Sequence, residues 1–223
     1  MKKILLTILS VSWLFGASGG DIFRSSFVVD QLEYQKNDEK SLSWDSYYFA
    51  GYDLDKIYIY SEGEKPKSGK ASIETQLVYS KAFTSFWDIQ MGIEQDKIPD
   101  HSKTWAIFGF QGLAQYFLET KTSFLFANDG NIAIKTNTEY DLLLSQKLIL
   151  SPSIKLSAFS KNDESMEIGK GVSNMTIGAR LRYEFKREFA PYLGFEWNKN
   201  YGKTNIYSPL DEKYLNFGIR FWL

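Results

Sequence analysis

Six carboxylates recur on three neighbouring stretches of the sequence: Glu62 and Glu64, then Glu74, then Asp88, Glu94 and Asp96. Carboxylates that face a common space attract cations, and they bind transition metals weakly and with little selectivity. Other chemistry has little to work with. The chain has no cysteine, which removes disulfides, thiolate metal sites and thiol nucleophiles, and it has one histidine. That histidine lies in Asp100-His101-Ser102, and residues adjacent in sequence do not form a triad geometry, so a solvated loop without catalysis is expected. Neither a Gly-rich phosphate loop nor a His-x-x-x-His metal spacing occurs.

Whether these acids meet depends on the elements that carry them. Apolar and polar residues alternate in runs of about ten separated by turn residues, and no segment keeps a helical period for three turns. Twelve runs are expected, near 25–36, 41–50, 55–64, 70–82, 86–96, 103–113, 116–127, 131–143, 147–160, 172–185, 189–200 and 213–223. In the tenth, Met175, Ile177, Ala179, Leu181, Tyr183 and Phe185 point one way and Asn174, Thr176, Gly178, Arg180, Arg182 and Glu184 the other. Side chains alternate across a strand, so each run has one apolar and one polar face.

A soluble sandwich and a transmembrane barrel both alternate in this way, and three features favour the barrel. Connections alternate in length, tight after strands two, four, six, eight and ten, as at 83–85 and 186–188, and longer after five, nine and eleven, as at 161–171 and 201–212. Rings gather at strand ends, with Phe83, Phe86, Trp87, Tyr116, Phe117, Phe189 and Tyr192 towards one end and Tyr34, Trp105, Trp197 and Tyr214 towards the other, as in aromatic girdles. The last strand alternates through Leu215, Phe217, Ile219, Phe221 and Leu223, similar to the terminal signature of outer-membrane barrels. The expected fold is an all-β, antiparallel, up-and-down transmembrane barrel of about 12 strands.

Residues 1–20 read as a secretory signal peptide: Lys2 and Lys3, an apolar stretch from Ile4 to Phe15, then small residues. Residues 21–223 form the outer-membrane barrel, with membrane lipid as its surroundings. A mean hydropathy of −0.30 with 24% charged residues does not fit a helical membrane protein. The balance of 26 basic against 27 acidic residues excludes a polybasic nucleic-acid binder.

Parity then sorts the lumen. Inward acids are Asp45, Glu62, Glu64, Glu74, Asp88, Glu94, Asp96, Glu119, Glu139, Asp141 and Glu184, against the bases Lys56, Lys121, Lys135, Lys155, Arg180, Arg182 and Arg220. One reading is a lumen held by ion pairs, with Glu139, Asp141, Arg180, Arg182 and Arg220 prominent. The other notes that Glu62, Glu64, Glu74, Asp88, Glu94 and Asp96 come from strands three to five with few bases among them, which would make one wall acidic and attractive to metal cations.

Several stretches resemble the copper resistance protein B family. They include Asp30-Gln31-Leu32-Glu33-Tyr34, Glu62-Gly63-Glu64, Tyr79-Ser80-Lys81-Ala82 with Phe86-Trp87-Asp88, Thr104-Trp105-Ala106, and Gln111-Gly112-Leu113-Ala114. Further along come Glu139-Tyr140-Asp141-Leu142, Leu148-Ile149-Leu150-Ser151-Pro152, Leu181-Arg182-Tyr183-Glu184, Arg187-Glu188-Phe189-Ala190-Pro191-Tyr192 and Gly218-Ile219-Arg220-Phe221-Trp222. The resemblance implies an outer-membrane barrel of bacterial copper resistance that binds copper ions, works beside a periplasmic copper-binding protein or multicopper oxidase, and uses no organic cofactor. A monomer is expected. Many relatives carry a Met- and His-rich stretch before the barrel, whereas here strand one begins within a few residues of Gly20. Soft Cu(I) prefers sulfur and Cu(II) favours imidazole. With one histidine, and methionines beyond the leader only at Met91, Met166 and Met175, copper contacts fall to carboxylates, which suits passage better than storage.

Overall fold

The computed structural model describes residues 22–37 and 40–223, so the expected leader lies outside the described residues. Thirteen strands follow one another: β1 (Arg24–Gln35), β2 (Leu42–Gly51), β3 (Asp55–Lys65), β4 (Ser72–Ala82), β5 (Trp87–Lys97), β6 (Ser102–Ala114), β7 (Leu118–Ala127), β8 (Ile132–Glu139), β9 (Leu142–Leu143), β10 (Leu148–Phe159), β11 (Gly171–Tyr183), β12 (Phe189–Asn200) and β13 (Asp211–Trp222). Neighbours in sequence pair antiparallel, and β13 pairs with β1, which closes the sheet into a barrel of twelve staves. β8 and β9 share one stave against β10. The break between them falls at Pro152 of β10, whose carbonyl accepts from Tyr140 N–H at 3.1 Å but which has no N–H to return the bond.

Among the described residues no helix is long and apolar enough to cross a membrane. A strand in hydrocarbon needs every N–H and C=O paired by a neighbour, which only closure supplies. The outward face is an apolar belt: Leu77, Ile93, Phe108, Ile134, Leu193, Phe195, Leu215 and Phe217 are all exposed on it. The opposite parity is buried, as Arg180 and Arg182 show in β11. The fold is therefore that of a membrane-spanning β-barrel with its apolar belt towards lipid.

Several local expectations are corrected. The connection 98–101 is as short as the turn 83–86 on the opposite end, so the inequality in connection length rests on 160–170 and 201–210. β7 begins at Leu118, because Tyr116 and Phe117 both take positive φ, 64° and 62°, in a tight turn that leaves their rings exposed. Trp105, Tyr192 and Tyr214 are buried in the lumen rather than in a girdle, each on the inward parity of its strand. Tyr34 stays exposed on the outward face.

Inward rings are accommodated by glycine. Tyr192 donates to Glu33 Oε2 at 2.8 Å, and Gly218 leaves the space: a Cβ there would stand 2.5 Å from the Tyr192 ring and 2.8 Å from Glu33 Cβ. Replacing Gly218 by Val is expected to lower barrel stability by about 1–3 kcal/mol through overpacking. The urea midpoint of the liposome-refolded protein measures this, and an unchanged midpoint would show that Tyr192 can move aside.

Candidate cation site in the barrel lumen

Register brings together acids that the sequence separates. Asp45 on β2 lies opposite Glu62 on β3, Glu62 opposite Glu74 on β4, and Glu74 opposite Asp96 on β5. Four inward carboxylates thus form one cross-strand row, and Glu94 adds a fifth two residues from Asp96. Like charges directly opposite one another repel, so such a row needs counter-charge.

That counter-charge comes from the opposite side of the lumen. Lys135 Nζ on β8 lies 2.5 Å from Glu74, 2.7 Å from Glu94 and 3.5 Å from Asp96. Lys155 Nζ on β10 lies 2.5 Å from Glu62 and 3.9 Å from Asp45. Lys121 donates to Gln76 Oε1 at 2.8 Å and lies over the Tyr60 ring, and Gln76 in turn donates to Glu74 at 2.7 Å and Glu94 at 2.8 Å. The acidic wall is therefore not bare: the barrel is narrow enough for long side chains to span it. Ligand oxygens of Glu74, Glu94 and Asp96 all lie within 4.8 Å of one another, a spacing one metal ion fits, with an ammonium at its centre. Trp105 Nε1 donates to Asp96 Oδ2 at 3.0 Å and fixes that carboxylate, while Asp96 Oδ1 has no hydrogen-bond partner.

The other expected metal contacts lie elsewhere. Glu64 accepts from Asn37 at 3.4 Å towards the outer loops, and Asp88 accepts from Ser80 at 3.1 Å near the short turns. A separate group of charges sits on the wall made by β8 to β13 and β1. Arg180 contacts Glu139 and, at 3.0 Å, Asp30; Arg220 reaches Asp30 at 2.7 Å; Arg182 contacts Asp141. Asp30 escaped the parity reading because a β-bulge between Val29 and Leu32 adds a residue and turns it inward. A register break of this kind leaves no mark in an alternation pattern.

The outer mouth on the β4–β10 side is filled with apolar side chains. Trp105, Ile107, Leu125, Ala133 and Phe159 pack with Met166 and Ile168 of loop 160–170, which folds over them. The loop is latched by Lys103, whose Nζ lies 2.6 Å from Asp163 and 2.7 Å from Asp129. His101 lies in the exposed turn 98–101, and the neighbouring Asp100 is taken by Lys70 at 2.7 Å.

A family model described as copper resistance protein B precursor matches residues 23–223. The chain belongs to the copper resistance protein B family. Copper resistance protein B of Escherichia coli is 42% identical over 179 residues, 80% of this chain and 60% of the relative. A copper resistance protein B homolog of Pseudomonas syringae pv. tomato (strain ATCC BAA-871 / DC3000) is 39% identical over 204 residues, 89% of this chain and 69% of the relative. The chain thus spans 60% of the length of the first of these relatives. Among solved structures, the NanC porin superposes with a TM-score of 0.59 at 12% identity, covering 87% of this chain and 98% of the porin, a likeness of fold. In this member of the copper resistance protein B family, the described methionines stay away from the acidic row: Met91 is exposed on the lipid face, Met175 shares that face, and Met166 is buried in the loop.

The latch carries a pH dependence. Hydrogen bonds from Lys103 and from the Asn131 N–H hold Asp129 below the usual carboxylate range. Burial opposes ionisation of Asp163, but hydrogen bonds from Lys103 and Ser165 outweigh it and lower its value as well. Depressed carboxylates contribute fully above their unfolded value, about 3.9, and the contribution is lost as pH falls through the folded values. The loop is expected to stay closed at neutral pH and to open below about pH 4. Protection of the Met166 and Ile168 amides against hydrogen exchange, corrected for intrinsic rate, measures this; Lys103→Met should remove protection at pH 7, and retained protection would contradict the latch.

Proposed function

We propose that this chain serves bacterial copper resistance by letting copper ions cross the outer membrane along the row Asp45, Glu62, Glu74 and Asp96, with Glu94 beside it. The register that aligns four carboxylates on adjacent strands carries this reading. Family membership supplies the metal. The expected contacts Glu62, Glu64, Glu74, Asp88, Glu94 and Asp96 then divide by position. Glu74, Glu94 and Asp96 form the tightest cation station, Glu62 with Asp45 the next, and Glu64 and Asp88 lie towards the outer and inner ends.

Copper enters this scheme as cargo, weakly bound. An arriving dication replaces Lys135 Nζ among the three carboxylates and is released again because oxygen ligands hold copper loosely. No step breaks or forms a covalent bond, so the protein acts without catalysis. At the short turns a periplasmic copper-binding protein or multicopper oxidase exchanges the ion, and the barrel works as a monomer.

A second reading has its own support: Lys135 and Lys155 cross-brace the lumen, and Val78, Trp105 and Leu125 fill part of it, as a structural barrel or a general small-solute channel would also require. Flux into liposomes separates the readings. With the chain reconstituted, entry of Cu²⁺ should fall at least about tenfold when Glu74→Gln, Glu94→Gln and Asp96→Asn are combined, since the three charges set the local cation concentration. Unchanged entry overturns the proposal. Equal passage of an uncharged solute points to a general channel, and no passage of either by the unaltered chain to a structural barrel.

A further inference from the structure

The outward face at the outer end of β12, β13 and β1 has a composition unlike the belt below it. Along β12 the outward residues run Leu193, Phe195, Trp197, Lys199, and along β13 towards the same end Phe217, Leu215, Lys213. Trp197 pairs with Lys213 across the two strands, and both Lys199 and Lys213 lie over its indole, at 5.9 and 5.5 Å from the ring centroid. Lys199 also faces the Tyr201 ring at 5.8 Å. On β1 the outward residues Leu32 and Tyr34 lead to Lys36, whose N–H bonds the Leu215 carbonyl at 2.9 Å, which sets Lys36 beside this pair. Three lysines therefore stand on adjacent strands, just beyond the apolar belt, and among the described outward residues of these strand ends the acid beside them is Asp211, bonded to Lys199 at 2.6 Å and to Trp197 Nε1 at 2.9 Å.

Two residues along a strand cover about 6.8 Å, so the step from Phe195 through Trp197 to Lys199 runs from hydrocarbon through the interface to the depth of lipid phosphates. Lysines at that depth direct their ammonium groups to the headgroup layer, and the indole holds two of them side by side. We infer that Lys36, Lys199 and Lys213 form a docking site for the phosphorylated glycolipid of the outer leaflet, its sugar-phosphate on the lysines and its acyl chains on Phe195, Leu215 and Phe217. Charge complementarity selects this occupant: among the described outward residues, three ammonium groups against one carboxylate leave a surplus that matches a phosphate monoester, and the apolar belt beneath accepts the attached chains. The inference is independent of the lumen and of copper.

Native mass spectrometry of the detergent-solubilised barrel with bisphosphorylated lipid A tests it. The unaltered chain should bind at least about tenfold more tightly than Lys36→Gln/Lys199→Gln/Lys213→Gln. The Lys→Arg counterpart should retain binding, and so should Lys65→Gln/Lys67→Gln/Lys97→Gln, altered elsewhere on the same rim. Heat-modifiable mobility on gels confirms that each variant is folded. Equal binding of lipid A by the Gln variant, equal binding of dephosphorylated lipid A by the unaltered chain, equal loss in the control variant, or full displacement by millimolar inorganic phosphate would each overturn the site.

Discussion

Backbone amides immersed in hydrocarbon have no water to bond, and the seam between β1 and β13 is the place where this chain meets that demand over the longest sequence distance. Phe27 N–H bonds the Leu223 carbonyl at 3.1 Å and Leu223 N–H returns to Phe27 at 2.9 Å, which ties the two ends of the sheet together at the inner rim. The same seam contains the bulge that turns Asp30 inward between Arg180 and Arg220. Closure and lumen chemistry are therefore set by one stretch of β1. Glu33, a few residues further, accepts from Gln35, Ser43, Tyr192 and Asn216, so a buried carboxylate on the seam is held by neutral donors from β2, β12 and β13.

A closed ring of twelve staves encloses a space that lysine and arginine side chains can span. That dimension decides how the acids behave. Four carboxylates in cross-strand register would repel strongly in a dry lumen, where two unit charges 4 Å apart interact by about 4 kcal/mol at an effective dielectric of 20. Lys135 and Lys155 convert that repulsion into two cross-braces. A buried pair stabilises little on balance, yet removing one partner costs about 3–5 kcal/mol because the other is left uncompensated. The ammonium groups are thus retained by the fold, while a mobile dication of higher charge can compete for the same oxygens. In the proposed function, structural bracing and cation passage draw on one set of side chains.

Much of this was legible in the alternation of residues. The twelve runs correspond to the twelve staves in order, and Ile177, Leu181 and Tyr183 of the outward set of β11 are exposed as period two requires. What alternation does not encode is register and depth. Asp30 is displaced by a bulge, the pairing of Asp45, Glu62, Glu74 and Asp96 depends on the exact stagger of four strands, and Lys135 meets its acids only across a closed ring. Trp105, Tyr192 and Tyr214 lie near strand ends, where girdle residues are expected, but their parity sends them inward, where each engages a carboxylate. Pro152 interrupts a stave that the pattern reads as continuous, since a missing donor changes pairing without changing hydrophobicity.

In the proposed function, the ammonium of Lys135 occupies the place that a copper ion takes. Equilibrium titration of the folded barrel with Cu²⁺, comparing the unaltered chain with Lys135→Gln, addresses it directly. Removing the tethered cation should tighten Cu²⁺ binding by about tenfold or more, because three carboxylates are left to a single ion. Affinity that stays the same or weakens in Lys135→Gln would contradict the account.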